Sequence, residues 1–325
     1  MDSRTLHTRR LPQLRRALLR WYDENQRDLP WRRTADPYHI WVSEIMLQQT
    51  RVAAVLPRYG KFLQRFPSVQ KLASARLSSV LAEWSGLGYY RRARNLHAAA
   101  KIIVRRFAGI FPESSEQWRK LPGIGRYTAA AIASIAFEEP IAVLDGNVER
   151  VLRRLLHCAT VADSWNAAQT LLDPERPGDC NQAIMELGAT VCLPGEPVCA
   201  RCPITKFCAT CGRGESQSRK PRQIKASISF ALATKGDTVL LIRRRADESL
   251  MSGMWELPTL NHSIRSEEVL FRVRHSITAT DYLVSVVAQS KVATENGEWI
   301  HRRRAHKLPL TGLTKKILRK ANIIE

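Results

Sequence analysis

Residues 121–129 read "LPGIGRYTA" and stand between segments with helical spacing. Two glycines two apart, at the mouth of a helix, leave the backbone bare where the chain turns. Glycine removes the side chain that would hold a ligand away. The first amides of a helix, together with its dipole, attract phosphate. The stretch therefore predicts two helices joined by a hairpin, with Gly123 and Gly125 facing a polyanion backbone. Such a contact fixes register without reading sequence. Taken by itself, one G-x-G is equally an ordinary turn between two helices.

The surroundings are helical on both sides. Residues 8–190 carry "SVQKLASARLSSVLAEW", "RRARNLHAAAKIIVRRF", "RYTAAAIASIAF" and "DGNVERVLRRLLH", with apolar residues at three- and four-residue spacing and short Gly/Pro breaks. The N-terminal stretch predicts a first helix, with Leu11, Leu14, Leu18 and Trp21 on one face. After residue 211 the texture changes. Residues 212–225, "GRGESQSRKPRQIK", suit a linker. Beyond them "ASISFALAT" and "DTVLLIRRR" flank "KGD", a hairpin signal, "DYLVSVVAQS" reads as a further strand, and "LTGLTKKILRKA" as a closing helix. The expected organisation is an all-α domain over 1–211, a linker over 212–225 and a smaller α+β domain over 226–325.

The 325 residues hold 51 Lys and Arg against 30 Asp and Glu, a net charge of +21. The first 217 residues and the remaining 108 are both basic, at +11 and +10. That balance points to nucleic acid as the partner. No run of eighteen apolar residues is present, so no membrane span is expected. The N-terminus lacks the apolar core and cleavage site of a signal peptide. A monomeric cytoplasmic protein, nucleoid-associated if prokaryotic, is the expectation.

Two carboxylates and a group of thiols are the candidate chemistry. Asp145 opens "DGNVERVLRRL" and reads first as a helix cap. Glu44 lies in "WVSEIMLQQTRV", where Ile45, Met46 and Leu47 would raise its pKa if it is buried; in isolation it reads better as a residue of a solvated polar face. Cys192, Cys199, Cys202 and Cys208 are spaced C-x6-C-x2-C-x5-C. Both zinc and a [4Fe–4S] cluster accept four thiolates. Cys211 is an extra thiol three residues on.

Together these motifs carry a resemblance. L-P-G-I-G-R followed by a lone Asp resembles the helix-hairpin-helix DNA glycosylase superfamily. "RDLPWRRTADPYHI" followed by "WVSEIMLQQTRV" closely resembles the adenine DNA glycosylases of the MutY family. The cysteine spacing matches the [4Fe–4S] loop of the endonuclease III and MutY families. "VLLIRRRADESLMSGMWELPT" resembles the Nudix-like C-terminal domain of MutY proteins, without the G-x5-E-x7-R-E-x2-E-E-x-G hydrolase box.

The resemblance implies a glycosylase that excises adenine lying opposite 8-oxoguanine or guanine in double-stranded DNA. It makes Glu44 the general acid, sets Asp145 against the sugar, and brings Asn147, Tyr127 and Glu186 to the same site. Arg27, Trp31 and Leu47 are implied around the flipped adenine, with Gln49 and Tyr89 as wedges filling the gap it leaves. Strand-cutting relatives carry lysine where Tyr127 stands. An amine forms a Schiff base with the sugar and a phenol does not, so Tyr127 implies hydrolysis of the base–sugar bond alone. At 275–279 the family's usual H-x-F-S-H is departed from. His275 keeps the first histidine, Ile277, Thr278 and Ala279 replace Phe, Ser and His, and Thr278 keeps a hydroxyl donor for lesion reading.

Overall fold

The computed structural model describes residues 10–211, 224–245, 248, 251–260, 264–277, 280–289, 292, 294 and 296–324. Among these, the helices are α1 Leu11–Asn25, α2 Pro37–Leu47, α3 Val52–Arg65, α4 Val69–Ser74, α5 Leu77–Glu83, α6 Arg91–Phe107, α7 Ser115–Trp118, α8 Arg126–Phe137, α9 Gly146–Leu156, α10 Val161–Leu171 and α11 Pro177–Thr190. The strands follow: β1 Ile224–Leu232, β2 Thr234–Lys235, β3 Thr238–Arg243, β4 Trp255–Glu256, β5 Val269–Ile277, β6 Thr280–Ala288 and β7 Gly297–His301. The chain closes with α12 Arg302–Ala305 and α13 Gly312–Lys320. The expected helix-rich first part and α+β second part are both present. The linker, apart from Ile224 and Lys225, lies outside the described residues.

Two compact units form. One comprises Met1–Ala73 with Ala98–Ser218, the other Ser74–His97 with Arg219–Glu325. The first is a helical bundle. On α1 the expected face is seen, with Leu14 and Leu18 fully buried and Leu11 and Trp21 half-buried. Asp36 caps α2 by accepting from the Tyr38 amide at 2.7 Å. From Ile40 to Met46 every residue of α2 is buried, Glu44 included. A helix apolar on all sides belongs in the middle of a bundle. What surrounds it is permissive: α8 carries Ala129, Ala130, Ala131 and Ala133, all without exposure, and packs against α2, α7 and α11. Small residues bring the backbones close. At Gly178 on α11, a Cβ would stand 2.7 Å from the Ser134 carbonyl oxygen and 2.9 Å from Ile135 Cα, both backbone of α8.

In the second unit β6 lies between β1 and β5, and β3 pairs with β2, β4 and β7. The "KGD" turn joins β2 to β3 with Lys235 opposite Thr238, and Gly236 takes a positive φ of 54° there. The expected hairpin is thus shorter than the two flanking apolar runs suggested. β1 leaves it and pairs in parallel with β6, from Ile224↔Thr280 to Leu232↔Ala288. Phe230, Val239, Leu241, Trp255, Val284, Val286, Ile300, Ile317 and Leu318 fill the core between sheets and α13. The helical segment 74–97 belongs to this unit. Tyr90 donates its hydroxyl to the Leu310 carbonyl at 3.3 Å, and Arg94 reaches the Ser252 carbonyl. The run "SVQKLASARLSSVLAEW" is accordingly two helices, broken where Arg76 turns to extended backbone (φ −69°, ψ 135°).

The close approach of α11 to α8 gives a test. Gly178→Ala is expected to force the two helices apart and cost about 1–3 kcal/mol. Gly60→Ala, in α3, whose Cβ meets nothing within 4 Å, is the control and should not lower stability. Thermal melts followed by circular dichroism distinguish them.

Candidate active site

Glu44 projects from the centre of α2 and is 6% exposed. Among the described residues its Oε2 is buried without a hydrogen-bond partner. Burial pushes its pKa up to about 7; the nearby Tyr127 phenol and Arg32 pull it down, while the charge of Asp145 adds to the rise. Glu44, Tyr127 and Asp145 thus share one electrostatic neighbourhood, although they come from α2, α8 and the start of α9. The Tyr127 phenol is itself raised well above its ordinary value, first by burial and then by the charges of Glu44 and Asp145. It stays protonated and is held by a 3.3 Å contact to Met185 Sδ.

Asp145 is the N-cap of α9. Its Oδ1 accepts from the amides of Asn147 at 2.9 Å and Val148 at 2.7 Å, and its Oδ2 from Asn147 Nδ2 at 3.2 Å. The sequence allowed either a cap or a catalytic carboxylate; the cap is made, and it fixes the carboxylate's orientation. Asn147 is held in turn. Its Oδ1 accepts from Arg150 at 2.9 Å, and Arg150 also donates to the carbonyls of Gly188 at 2.7 Å and Cys192 at 2.9 Å. Gly188 is needed here, because a Cβ would stand 2.7 Å from Asn147 Cβ.

Glu186, on α11, is the second buried carboxylate. Arg27 grips it with its guanidinium at 2.6 and 2.8 Å and its backbone amide at 3.2 Å, and Arg32 adds a fourth bond at 2.8 Å. Burial pushes this carboxyl up, but the two guanidinium groups outweigh it and leave its pKa below the usual range. Arg32, only 10% exposed along its side chain, is a site residue the sequence reading missed. Its partner lies 154 residues away, and no local pattern announces it. Trp31 is buried edge-on against Tyr59, with ring centroids 5.2 Å apart. Leu47, half-buried, ends α2.

At the hairpin, Gly123 has a φ of 77°, and Gly123 and Gly125 are both exposed. Gly125 is the N-cap of α8 and supplies no side-chain cap, so the start of the helix opens to solvent. Arg126 lies 3.6 Å over the Trp165 ring. Just after α2, Gln48 is fastened to Thr128 at 2.9 Å, whereas Gln49 is exposed in left-handed backbone with a φ of 55°. In the second unit Tyr89 is alike: 48% exposed, with a φ of 48°. Its neighbour Tyr90 is a core residue. His275 is half-buried on β5, and burial lowers its pKa. Thr278 lies outside the described residues.

The cysteine loop is fastened to the far end of α9. Arg154 donates to the Leu193 carbonyl at 2.7 Å and to Cys192 Sγ at 3.4 Å, and the amides of Ala209 and Thr210 cap the carbonyls of Leu155 and Arg154. Ile204 is buried in the bundle core. Burial raises the Cys202 thiol to about 11, and the charges of Cys192, Cys208 and Cys199 add to it. Among the described residues, no three His, Cys, Asp or Glu side chains are gathered tightly enough to hold a single metal ion. No described helix is long and apolar enough to cross a membrane.

The family model for HhH-GPD superfamily base excision DNA repair proteins matches residues 42–174. That range contains the hairpin, Glu44 and Asp145. Adenine DNA glycosylases are similar along most of the chain. The mouse protein is 40% identical over 310 residues, which is 76% of this chain and 60% of the relative. That of Schizosaccharomyces pombe is 37% identical, covering 76% and 69%. That of Buchnera aphidicola from Schizaphis graminum is 33% identical, covering 78% and 76%. Among solved structures, a thermostable thymine-DNA glycosylase superposes with a TM-score of 0.59 at 27% identity, covering 63% of this chain and 98% of that one. Endonuclease III, in a trapped covalent intermediate with DNA, shares the fold with a TM-score of 0.55 at 20% identity, covering 63% and 97%. The chain belongs to the adenine DNA glycosylase family. It spans about 60% of the length of the mouse relative.

The buried acid gives a stability prediction. A folded-state pKa raised above the unfolded one stabilises the fold at low pH relative to high pH, and that advantage is lost as pH rises through about 7. Glu44→Gln removes the titration. It is expected to be nearly neutral at pH 4 and to stabilise the protein by about 2–4 kcal/mol at pH 8. Urea denaturation of both proteins at the two pH values measures the difference.

Proposed function

We propose that this protein hydrolyses the bond between adenine and deoxyribose where adenine lies opposite 8-oxoguanine or guanine in double-stranded DNA. The observation that carries the reading is Glu44: a buried carboxyl that holds its proton near pH 7, beside Tyr127 and Asp145. A leaving purine needs a proton. Glu44 gives its proton to adenine N7, the C1′–N9 bond breaks with its electron pair leaving on adenine, and positive charge develops at C1′. Asp145, held by its cap bonds, faces that charge. The Glu44 carboxylate then takes a proton from water as the water oxygen bonds to C1′. Free adenine and an abasic sugar result. This is the division of labour between two carboxylates seen in glycoside hydrolysis.

The remaining residues take supporting roles. Asn147 holds Asp145, and Tyr127 orders Glu44. Arg27, Trp31, Leu47 and Glu186 surround the flipped base. Gly123 and Gly125 bring the open start of α8 to a phosphate. Flipping costs roughly a few kcal/mol of stacking and pairing. Gln49 and Tyr89, both exposed in strained left-handed backbone, fill the vacated space. Thr278 and His275 lie on the segment assigned to lesion reading.

Cys192, Cys199, Cys202 and Cys208 hold a [4Fe–4S] cluster in this reading. Four cysteines suit either zinc or such a cluster, and the C-x6-C-x2-C-x5-C spacing, which matches the loop of the endonuclease III and MutY families, supports the iron–sulfur cluster. The cluster, when bound, cross-links the loop. This chain's own residues fasten that loop to α9 through Arg154 and Arg150.

Single-turnover release of adenine from duplexes carrying A opposite 8-oxoguanine, G, C or T tests the proposal. Release is expected with the first two. Glu44→Gln should abolish release while duplex binding survives, and the wild-type rate should fall as pH rises above about 7. Efficient borohydride trapping of the wild type, with strand cutting, would instead mean a lyase of the endonuclease III kind. Near-wild-type release by Glu44→Gln would refute the role of the acid.

A further inference from the structure

The wedge assigned to Tyr89 sits on a short loop that is held from inside. From Ser85 to Tyr90 the chain takes three positive φ angles, Gly86 at 90°, Gly88 at 70° and Tyr89 at 48°. A Cβ at Gly88 would meet nothing within 4 Å, so this glycine serves the backbone angle and not a lack of room. Strain of this kind persists only where the surroundings over-determine it.

Those surroundings centre on one side chain. Arg92, 9% exposed, donates from Nη2 to the carbonyls of Leu87 at 2.9 Å and Gly88 at 3.2 Å. Its guanidinium carbon lies 5.5 Å from the ring centre of Trp84 and 5.5 Å from that of Tyr89. Trp84 is fully buried and donates its indole N–H to the same Gly88 carbonyl at 3.1 Å. A floor of Trp84, a cation above it and the exposed Tyr89 ring thus hang together. We infer that Arg92 is a positioning residue that presets Tyr89 for insertion into the DNA stack, acting through the Leu87–Gly88 carbonyls and the Tyr89 ring.

Three features make arginine fit this place. Its Nη2 donates to both neighbouring carbonyls while the planar guanidinium keeps within 5.5 Å of two ring centres, a shape an ammonium lacks. It stacks on aromatic faces, and such contacts strengthen when water is excluded. Burial lowers its pKa to about 10, which leaves it charged at neutral pH. A wedge that is already aimed loses less freedom on binding than one that must be ordered at that moment.

The inference rests on the wedge role of Tyr89, and the experiment separates the two. The probe is a duplex with 2-aminopurine in place of the target adenine, opposite 8-oxoguanine; its fluorescence rises on unstacking. Wild type, Arg92→Lys, Arg92→Met, Tyr89→Ala and the double variant Tyr89→Ala with Arg92→Met are compared by stopped flow, with a thermal melt of each. Arg92→Met is expected to slow unstacking about tenfold, as Tyr89→Ala does, with Arg92→Lys between. In the Tyr89→Ala background the Arg92→Met change should cost less than about twofold, since its target is gone. Arg92→Lys keeps charge and bulk, so its result stands even if Arg92→Met melts early. A further tenfold loss in the double variant, or normal unstacking by Arg92→Lys and a folded Arg92→Met beside an impaired Tyr89→Ala, overturns the inference alone. Normal unstacking by Tyr89→Ala removes the wedge reading and the inference with it.

Discussion

A carboxyl group taken out of water must either find a cation or keep its proton. The helical unit buries two glutamates and treats them oppositely. Glu186 receives four hydrogen bonds from Arg27 and Arg32 and stays ionised. Glu44 has an Oε2 with no partner among the described residues and is driven toward the neutral form. Arg32 bonds Glu186 and only tempers Glu44, so the cation nearest both is committed to the other carboxylate. The catalytic reading depends on that asymmetry, and so does the architecture. α2, buried from Ile40 to Met46, has to pass through the middle of the bundle, and the alanine face of α8 has to let it approach.

A single helix then relates the chemistry to the cysteine loop. Asp145 caps the front of α9, Arg150 ties its first turns to Asn147 and to the Gly188 and Cys192 carbonyls, and Arg154 with Leu155 holds the loop at the back. The capping amides orient the carboxylate that faces the sugar in the proposed reaction. Loosening the loop would loosen the helix that carries Asp145. A structural cofactor at the four thiols would in this way contribute to activity without touching the substrate.

Much of this was legible in the sequence because it is local. The glycines of 121–129, the cap at Asp145 and the buried face of α1 are each set by a few neighbouring residues. Gln49 and Tyr89 were named by resemblance, and the structure adds that each stands exposed at a positive φ. What was not legible depends on distance along the chain. The arginine pair on Glu186 spans more than 150 residues. The break at Arg76 and the grouping of 74–97 with the second unit come from tertiary packing, which overrides helical periodicity. The parallel pairing of β1 with β6 replaced part of the hairpin that "KGD" announced, because local turn chemistry fixes only the residues next to the turn. Thr278, the residue tied to lesion reading, lies outside the described residues.

The central claim is that Glu44 keeps its proton far above the ordinary carboxyl range, up to about pH 7. It is tested most directly by a difference titration of the carboxyl infrared bands, wild type against Glu44→Gln, from pH 4 to pH 9. The account predicts one protonated carboxyl band, present only in the wild type, that disappears with a midpoint near 7. A Glu44 band that has already gone by the ordinary carboxyl range near 4.5 would contradict it.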